Sequence, residues 1–157
     1  MPSKDVISEI PNKDTFFKLL ENNTGIIVIK LGAKWCGPCK KIKDVVEGFF
    51  ASSPAEVICC DIDVDESIEL YSFLKNKKIV NGIPVLLCYK KGNETYLPDD
   101  SITGADPMEL HKFFMRCGKH LQTSLHDNPP KTGDNATVHK TPRQIKINNF
   151  VGAPHTK

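Results

Sequence analysis

Six consecutive residues, Trp35-Cys36-Gly37-Pro38-Cys39-Lys40, hold two thiols separated by two positions. Cysteines at this spacing occur both as reactive thiols and as half of a zinc knuckle. Upstream, Gly25-Ile26-Ile27-Val28-Ile29-Lys30-Leu31 is rich in β-branched residues and reads as a buried strand. Downstream, Ile42, Val45, Val46, Phe49 and Phe50 recur at the spacing of one helical face, which predicts a long helix to about residue 52. Cys36 is thereby placed at or beside a helix N-terminus, where unpaired N–H groups and the helix dipole favour negative charge. A thiol there loses its proton more readily, and the thiolate is the reactive form. Pro38 suits the first turn, since its missing N–H would have no partner there. A zinc site needs a second pair of ligands. Cys59-Cys60 is the only candidate, and adjacent residues on a strand point to opposite faces. His111, His120, His126, His139 and His155 show no metal-ligand spacing.

The elements that must position this turn can be read on either side of it. Residues 5–10 form a short edge strand, and Asn12 caps a helix whose inner side is Phe16, Phe17, Leu19 and Leu20. A turn at Asn22-Asn23-Thr24-Gly25 leads into the central strand. Residues 57–62 read as the next parallel strand, and Asp65 as the cap of a helix through Ile68, Leu70, Tyr71 and Leu74. A basic connection, 75–81, precedes a strand at 85–90. Lys91-Gly92-Asn93 then turns the chain into another strand at 94–97. Asp106-Pro107-Met108-Glu109 is a strong helix start, followed by a buried stripe of Leu110, Phe113, Phe114, Cys117 and Leu121. Strands alternating with helices, then a hairpin and a last helix, predict an α/β fold with a mixed sheet covered on both faces. The pattern fails from Gln122 onward. The chain therefore divides into a domain at 1–121 and an extension at 122–157, polar and punctuated by Pro129-Pro130. Within the extension, residues 145–151 could form a short strand that docks on this chain or on a partner.

Composition excludes several classes. The chain has 157 residues, 39% hydrophobic and 25% charged, which suits a globular domain. A net charge of +2 is too small to imply nucleic acid or a membrane surface, and no apolar run is long enough to span a bilayer. The domain carries 16 basic and 17 acidic residues, the extension 5 and 2, so the excess of positive charge lies in the extension. The start, Met1-Pro2-Ser3-Lys4-Asp5, has neither a secretory nor a transit pattern, so the expected location is intracellular, in the cytoplasm. That compartment, and strands able to build a core without staples, argue against reading the six cysteines as a disulfide framework. Cys59, Cys60, Cys88 and Cys117 are expected in the core as small hydrophobes, with redox modification as the alternative.

The chain resembles the thioredoxin family. The family signature Trp-Cys-Gly-Pro-Cys-Lys matches residues 35–40 throughout. Gly82-Ile83-Pro84 ahead of Val85-Leu86-Leu87-Cys88-Tyr89 is a second match, and Gly104-Ala105 before the last helix a third. Order and spacing fit from about residue 5 to 121. The resemblance implies the thioredoxin fold, a central mixed sheet of four to five strands flanked by helices. It implies a redox-active disulfide, with Cys36 as nucleophile, Cys39 as the more buried resolving thiol, and Gly37 and Pro38 keeping the turn short. Pro84 would be a cis proline facing the thiols. The Ile83 backbone would pair with an extended substrate segment. Trp35, Ile62, Gly82, Ile83, Gly104 and Ala105 would form an apolar contact surface. Plain core packing is the alternative for Trp35, and an ordinary strand-start proline for Pro84. No metal or organic cofactor is implied. The partners implied are disulfide-containing proteins and an electron donor, either a flavoprotein thioredoxin reductase or a glutathione-linked system.

One position departs from that pattern. Where thioredoxins usually carry a buried Asp, this chain has Lys30. The family's buried Lys on the neighbouring strand corresponds to Cys59. Lys30 either pairs with an acid such as Asp61 and does nothing more, or its ammonium favours a thiolate on Cys36 or Cys39 and raises the potential of the pair. The expected function is reduction of protein disulfides. The alternatives are a more oxidising oxidase or isomerase, and a binding module in which redox turnover is incidental.

Overall fold

A computed structural model describes residues 4–127. The elements in chain order are β1 (Val6–Ile7), α1 (Lys13–Glu21), β2 (Ile26–Gly32), α2 (Gly37–Lys41), α3 (Lys43–Ser52), β3 (Val57–Asp63), α4 (Ile68–Asn76), β4 (Val85–Lys90), β5 (Asp100–Thr103) and α5 (Pro107–Asp127). The five strands make one sheet in the order β1-β3-β2-β4-β5. β1 and β2 run parallel to β3, while β4 is antiparallel to both β2 and β5. β2 is the middle strand and is buried at all seven positions, as its run of apolar residues, broken only by Lys30, leads one to expect.

Alternation along the strands separates two cores. One face carries Ile27, Ile29 and Leu31 of β2 with Cys60, Ile62, Val85 and Leu87, and is covered by Phe16, Leu19 and Leu20 of α1 and Leu70 and Leu74 of α4. The other carries Ile26 and Val28 with Val57, Cys59, Leu86 and Cys88. It is covered by Ile42, by Val46 and Phe50 of α3, and by Leu110, Phe113, Phe114 and Cys117 of α5. Phe49 and Phe114 stack across the α3–α5 contact with centroids 4.0 Å apart. Asn12 caps α1 as expected, its Oδ1 accepting from the Thr15 N–H at 2.8 Å.

Five readings of the elements are corrected. The edge strand at 5–10 is only the two residues of β1. The single helix expected after Cys39 is divided at Ile42 into α2 and α3. The cap of α4 is Ser67, not Asp65, and its hydroxyl accepts from the Ile10 N–H rather than from α4. The last strand lies at 100–103, not 94–97, because Asn93 organises the connection into a compact loop. Its Oδ1 accepts from the Thr95 N–H and Oγ1, and its Nδ2 donates to Leu97 O and Asp99 Oδ2. Pairing with β4 resumes only at Asp100. The last helix, expected to about Leu121, continues to Asp127. Residues 145–151 lie outside the described residues.

Asp100 fastens β5 to α5. Its carboxylate accepts from Arg116 Nε at 2.8 Å and Nη2 at 3.0 Å, and pairs with His120 Nε2 at 2.8 Å. Burial pushes the Asp100 carboxyl up. The hydrogen bonds from Arg116 and His120, with the Arg116 charge, outweigh that and hold it below the ordinary carboxylate value of about 3.9. The unfolded chain therefore takes up this proton first. The stabilisation is complete above the unfolded value and is lost as pH falls through the folded one. Asp100→Asn is expected to cost at most about 1 kcal/mol at pH 7, since solvent screens the partly exposed pair. Urea unfolding of both proteins should show that difference shrinking as pH falls below the ordinary carboxylate value and through the lower folded one.

Candidate functional site

The register of the sheet brings the motif residues to one end. The Val64 N–H donates to Gly32 O at 2.8 Å where β2 ends. On the other side Leu31 faces Val85, and the Gly104 N–H donates to Pro84 O at 2.9 Å. The turn after β2, the residues before β4 and the residues after β5 therefore share one pole. Ala33 O accepts from the Cys36 N–H at 3.2 Å, which closes the turn into α2.

Cys36 is the N-cap of α2, with extended backbone angles and with Pro38 in the first turn. Its Sγ accepts from the Cys39 N–H at 3.1 Å. Cys36 and Cys39 are joined as a disulfide, with Cα atoms 5.2 Å apart. Cys39 is not markedly the more buried of the two: they are 5% and 4% exposed.

Trp35 is 68% exposed, which removes the core-packing alternative. Its indole N–H donates to Asp65 Oδ2 at 2.7 Å, and Asp65 is braced by its own N–H donating to Asp63 Oδ1 at 2.8 Å. The sequence reading missed this task of Asp65, since the residue sits where a helix cap is also plausible. The Ile83–Pro84 peptide is cis. Pro84 is buried, and Gly82, Ile83, Gly104 and Ala105 are half-buried around the same pole. Gly104 has φ 110°, a backbone conformation that a side chain would strain. Ile62 does not belong to an exposed contact surface. It is 1% exposed, because strand alternation turns it with Cys60 into the core beneath α1 and α4.

Lys30 pairs with Asp61 Oδ1 at 3.2 Å, directly across the β2–β3 register. The pair borders a cavity of about 420 Å³ that also reaches Gly32 and Cys39. The four other cysteines are buried free thiols, Cys59 and Cys60 in opposite cores. Burial pushes the thiols of Cys59 and Cys60 up. A hydrogen bond with Cys117, and then burial, does the same to Cys88. Raised in this way, these three thiols are poor nucleophiles. Among the described residues no group of three or more His, Cys, Asp or Glu side chains is placed to hold a metal ion. None of the helices described is long and apolar enough to cross a membrane.

Comparison with known proteins agrees with this geometry. A family model described as thioredoxin matches residues 8–116. Thioredoxin of Coprinus comatus is 30% identical over 112 residues, covering 71% of this chain and 97% of that protein. The crystal structure of Malassezia sympodialis thioredoxin superposes with a TM-score of 0.57 at 26% identity, over 74% of this chain and 94% of that one. Oxidized mitochondrial thioredoxin 3 of Saccharomyces cerevisiae gives 0.56 at 28% identity, over 70% and 94%. Because the matched stretch takes in the disulfide and strands β2 to β5 around it, the chain belongs to the thioredoxin family and is a thiol–disulfide oxidoreductase.

Proposed function

We propose that this protein reduces disulfide bonds in other proteins. The observation that supports this best is the capped turn itself: the sulfur of Cys36 receives the Cys39 N–H at the start of α2, with the sulfur of Cys39 already within bonding reach. When the pair is reduced, that donor and the helix start stabilise a thiolate on Cys36. The thiolate attacks one sulfur of a substrate disulfide, a mixed disulfide forms, and the other substrate sulfur leaves as thiolate. Cys39 loses its proton and attacks Cys36. The substrate's second sulfur departs, and the Cys36–Cys39 bond closes. The substrate gains two electrons and two protons; the protein loses the same.

In this reading Gly37 and Pro38 hold the two sulfurs in one turn, and Trp35, Gly82, Ile83, Pro84, Gly104 and Ala105 border the surface that an extended substrate meets. Ile83 offers backbone groups for strand-like pairing. A thioredoxin reductase or a glutathione-linked donor reopens the disulfide, and the reaction runs in the cytoplasm. The second reading, an oxidase or isomerase with a higher potential, is favoured by one observation, the Lys30 ammonium beside the site. Equilibration against a glutathione series separates the two. A reductant keeps most of its Cys36–Cys39 bond oxidised at a glutathione poise of about −230 mV. A protein found mostly as dithiol at that poise is an oxidant, and the reductase reading fails.

A further inference from the structure

Lys30 is the one charged residue in a strand whose seven positions are all buried. A buried ammonium is costly unless it is paired, and Asp61 supplies the pair. Pairing explains how the charge is tolerated and leaves open why it is there. An apolar residue would continue the stripe of Ile26 and Val28 at no electrostatic cost.

Strand alternation puts Lys30 and Gly32 on the face beneath α2. A Cβ built on Gly32 would lie 3.1 Å from Cys39 Sγ and 3.3 Å from Lys30 Cε. The sulfur and the lysine thus flank the same bare Cα. Both also line the cavity that Asp61 borders. The other charged groups lining it are Lys34 after β2, Lys40 on α2, Lys43 on α3 and Asp63 on β3. Lys34 and Lys43 are exposed and paired with Glu66 and Glu47, and Lys40 is exposed. Asp63 is half-buried and accepts from the Asp65 N–H. Of the four lysines lining the cavity only Lys30 is buried, so its charge is the one least weakened by water.

We infer that Lys30 is a positioning residue for Cys39: held by Asp61, its ammonium favours the Cys39 thiolate in the resolving step. The inference rests on the exchange mechanism proposed above. In that step the Cys39 thiol gives its proton to solvent. The thiolate pair then bonds to Cys36 Sγ, the bond from Cys36 to the substrate sulfur breaks, and that sulfur leaves with the electron pair and is protonated. No outside oxidant or reductant enters. Asp61 acts with the opposite sign, because its carboxylate offsets the ammonium. The two halves of one ion pair therefore move Cys39 in opposite directions, whereas a purely structural role would make both losses act alike.

The reduced protein reacts with Ellman's reagent to give a mixed disulfide at Cys36, and Cys39 then expels the second coloured thiolate. The rate of that second release is followed by its absorbance across pH. Lys30→Met is expected to raise the midpoint by about one pH unit, making release about tenfold slower at any pH below both midpoints. Asp61→Asn is expected to lower it. Lys30→Arg keeps the charge and should stay within about twofold of the parent rate. Unchanged midpoints, or shifts in the same direction for Lys30→Met and Asp61→Asn, overturn the inference. Should Lys30→Met fail to fold, Asp61→Asn carries the test alone, since that side chain is 33% exposed; an unchanged or raised midpoint there is decisive against it. Ellman's reagent is not a protein. A chain that shows these shifts yet leaves insulin disulfides intact loses the reductase reading and keeps the role of Lys30.

Discussion

Cys36→Ser is expected to reduce the turnover of insulin disulfides at least about 1,000-fold, because a serine hydroxyl at neutral pH offers almost none of the anion that a thiol at this cap supplies. Cys39→Ser should behave differently. Its first attack is intact, so the protein takes up one substrate through Cys36 and stalls for want of the second sulfur. Intact-mass measurement should show one covalent substrate equivalent, released by dithiothreitol, alongside a steady-state rate nearly as low as that of Cys36→Ser. The contrast between the two variants assigns the roles; similar masses in both would remove the assignment. The remaining cysteines are not expected to rescue either variant. All four are buried, and the thiols of Cys59, Cys60 and Cys88 are pushed up.

Gly25→Ala is expected to lower stability by about 3 kcal/mol, roughly 10 °C in Tm for a domain of this size. Gly25 is stitched between strands: its carbonyl accepts from the Lys91 N–H at 3.0 Å and its N–H donates to Asn23 Oδ1 at 3.0 Å. A Cβ would overlap the backbone oxygen of Glu56 and would also stand 2.8 Å from Glu56 Cβ and 2.9 Å from Leu121 Cδ1. The Glu56 oxygen cannot step aside, because it already accepts from the Ile26 N–H at 3.2 Å, the contact that aligns the start of β2. Gly48→Ala makes the control. Gly48 is exposed in α3 with nothing within 4 Å of the added carbon, so the same methyl group should stabilise by about 0.5–1 kcal/mol. Thermal and urea unfolding of the two variants should show opposite signs.

What could be read in advance divides along physical lines. β2 was legible because a run buried on both faces must be continuously apolar, and the start of α5 because Asp106 and Pro107 each suit one cap position; Asp106 Oδ1 does accept from the Met108 N–H at 2.9 Å. The cysteine pair was legible because its chemistry is local to one turn. The break at Ile42 was not, since Ile42 continues the apolar stripe and no Gly or Pro marks it. The loop at 91–99 misled for a related reason: alternation around Leu97 imitates a strand, yet Leu97 is 61% exposed, and side-chain bonds from Asn93 decide the path. Asp65 and Gly32 were missed because their tasks lie across space. One holds an indole thirty positions earlier, and the other leaves room between a sulfur and a lysine. Lys30 stood out in the sequence as a charge in an apolar strand, Asp61 was already named there as its acid, and the β2–β3 register sets the two side by side.

The direction of α5 has a practical result. The helix begins just beyond Gly104, at the disulfide's pole, and passes Gly25 at the far end of the sheet by Leu121. Its 21 residues form a rod of about 30 Å. Position 127 is therefore an anchoring point at the back of the molecule. Fixing the protein to a bead or a dye there puts the tether at the opposite end of the sheet from the disulfide, whereas an attachment at Gly104 would sit beside it.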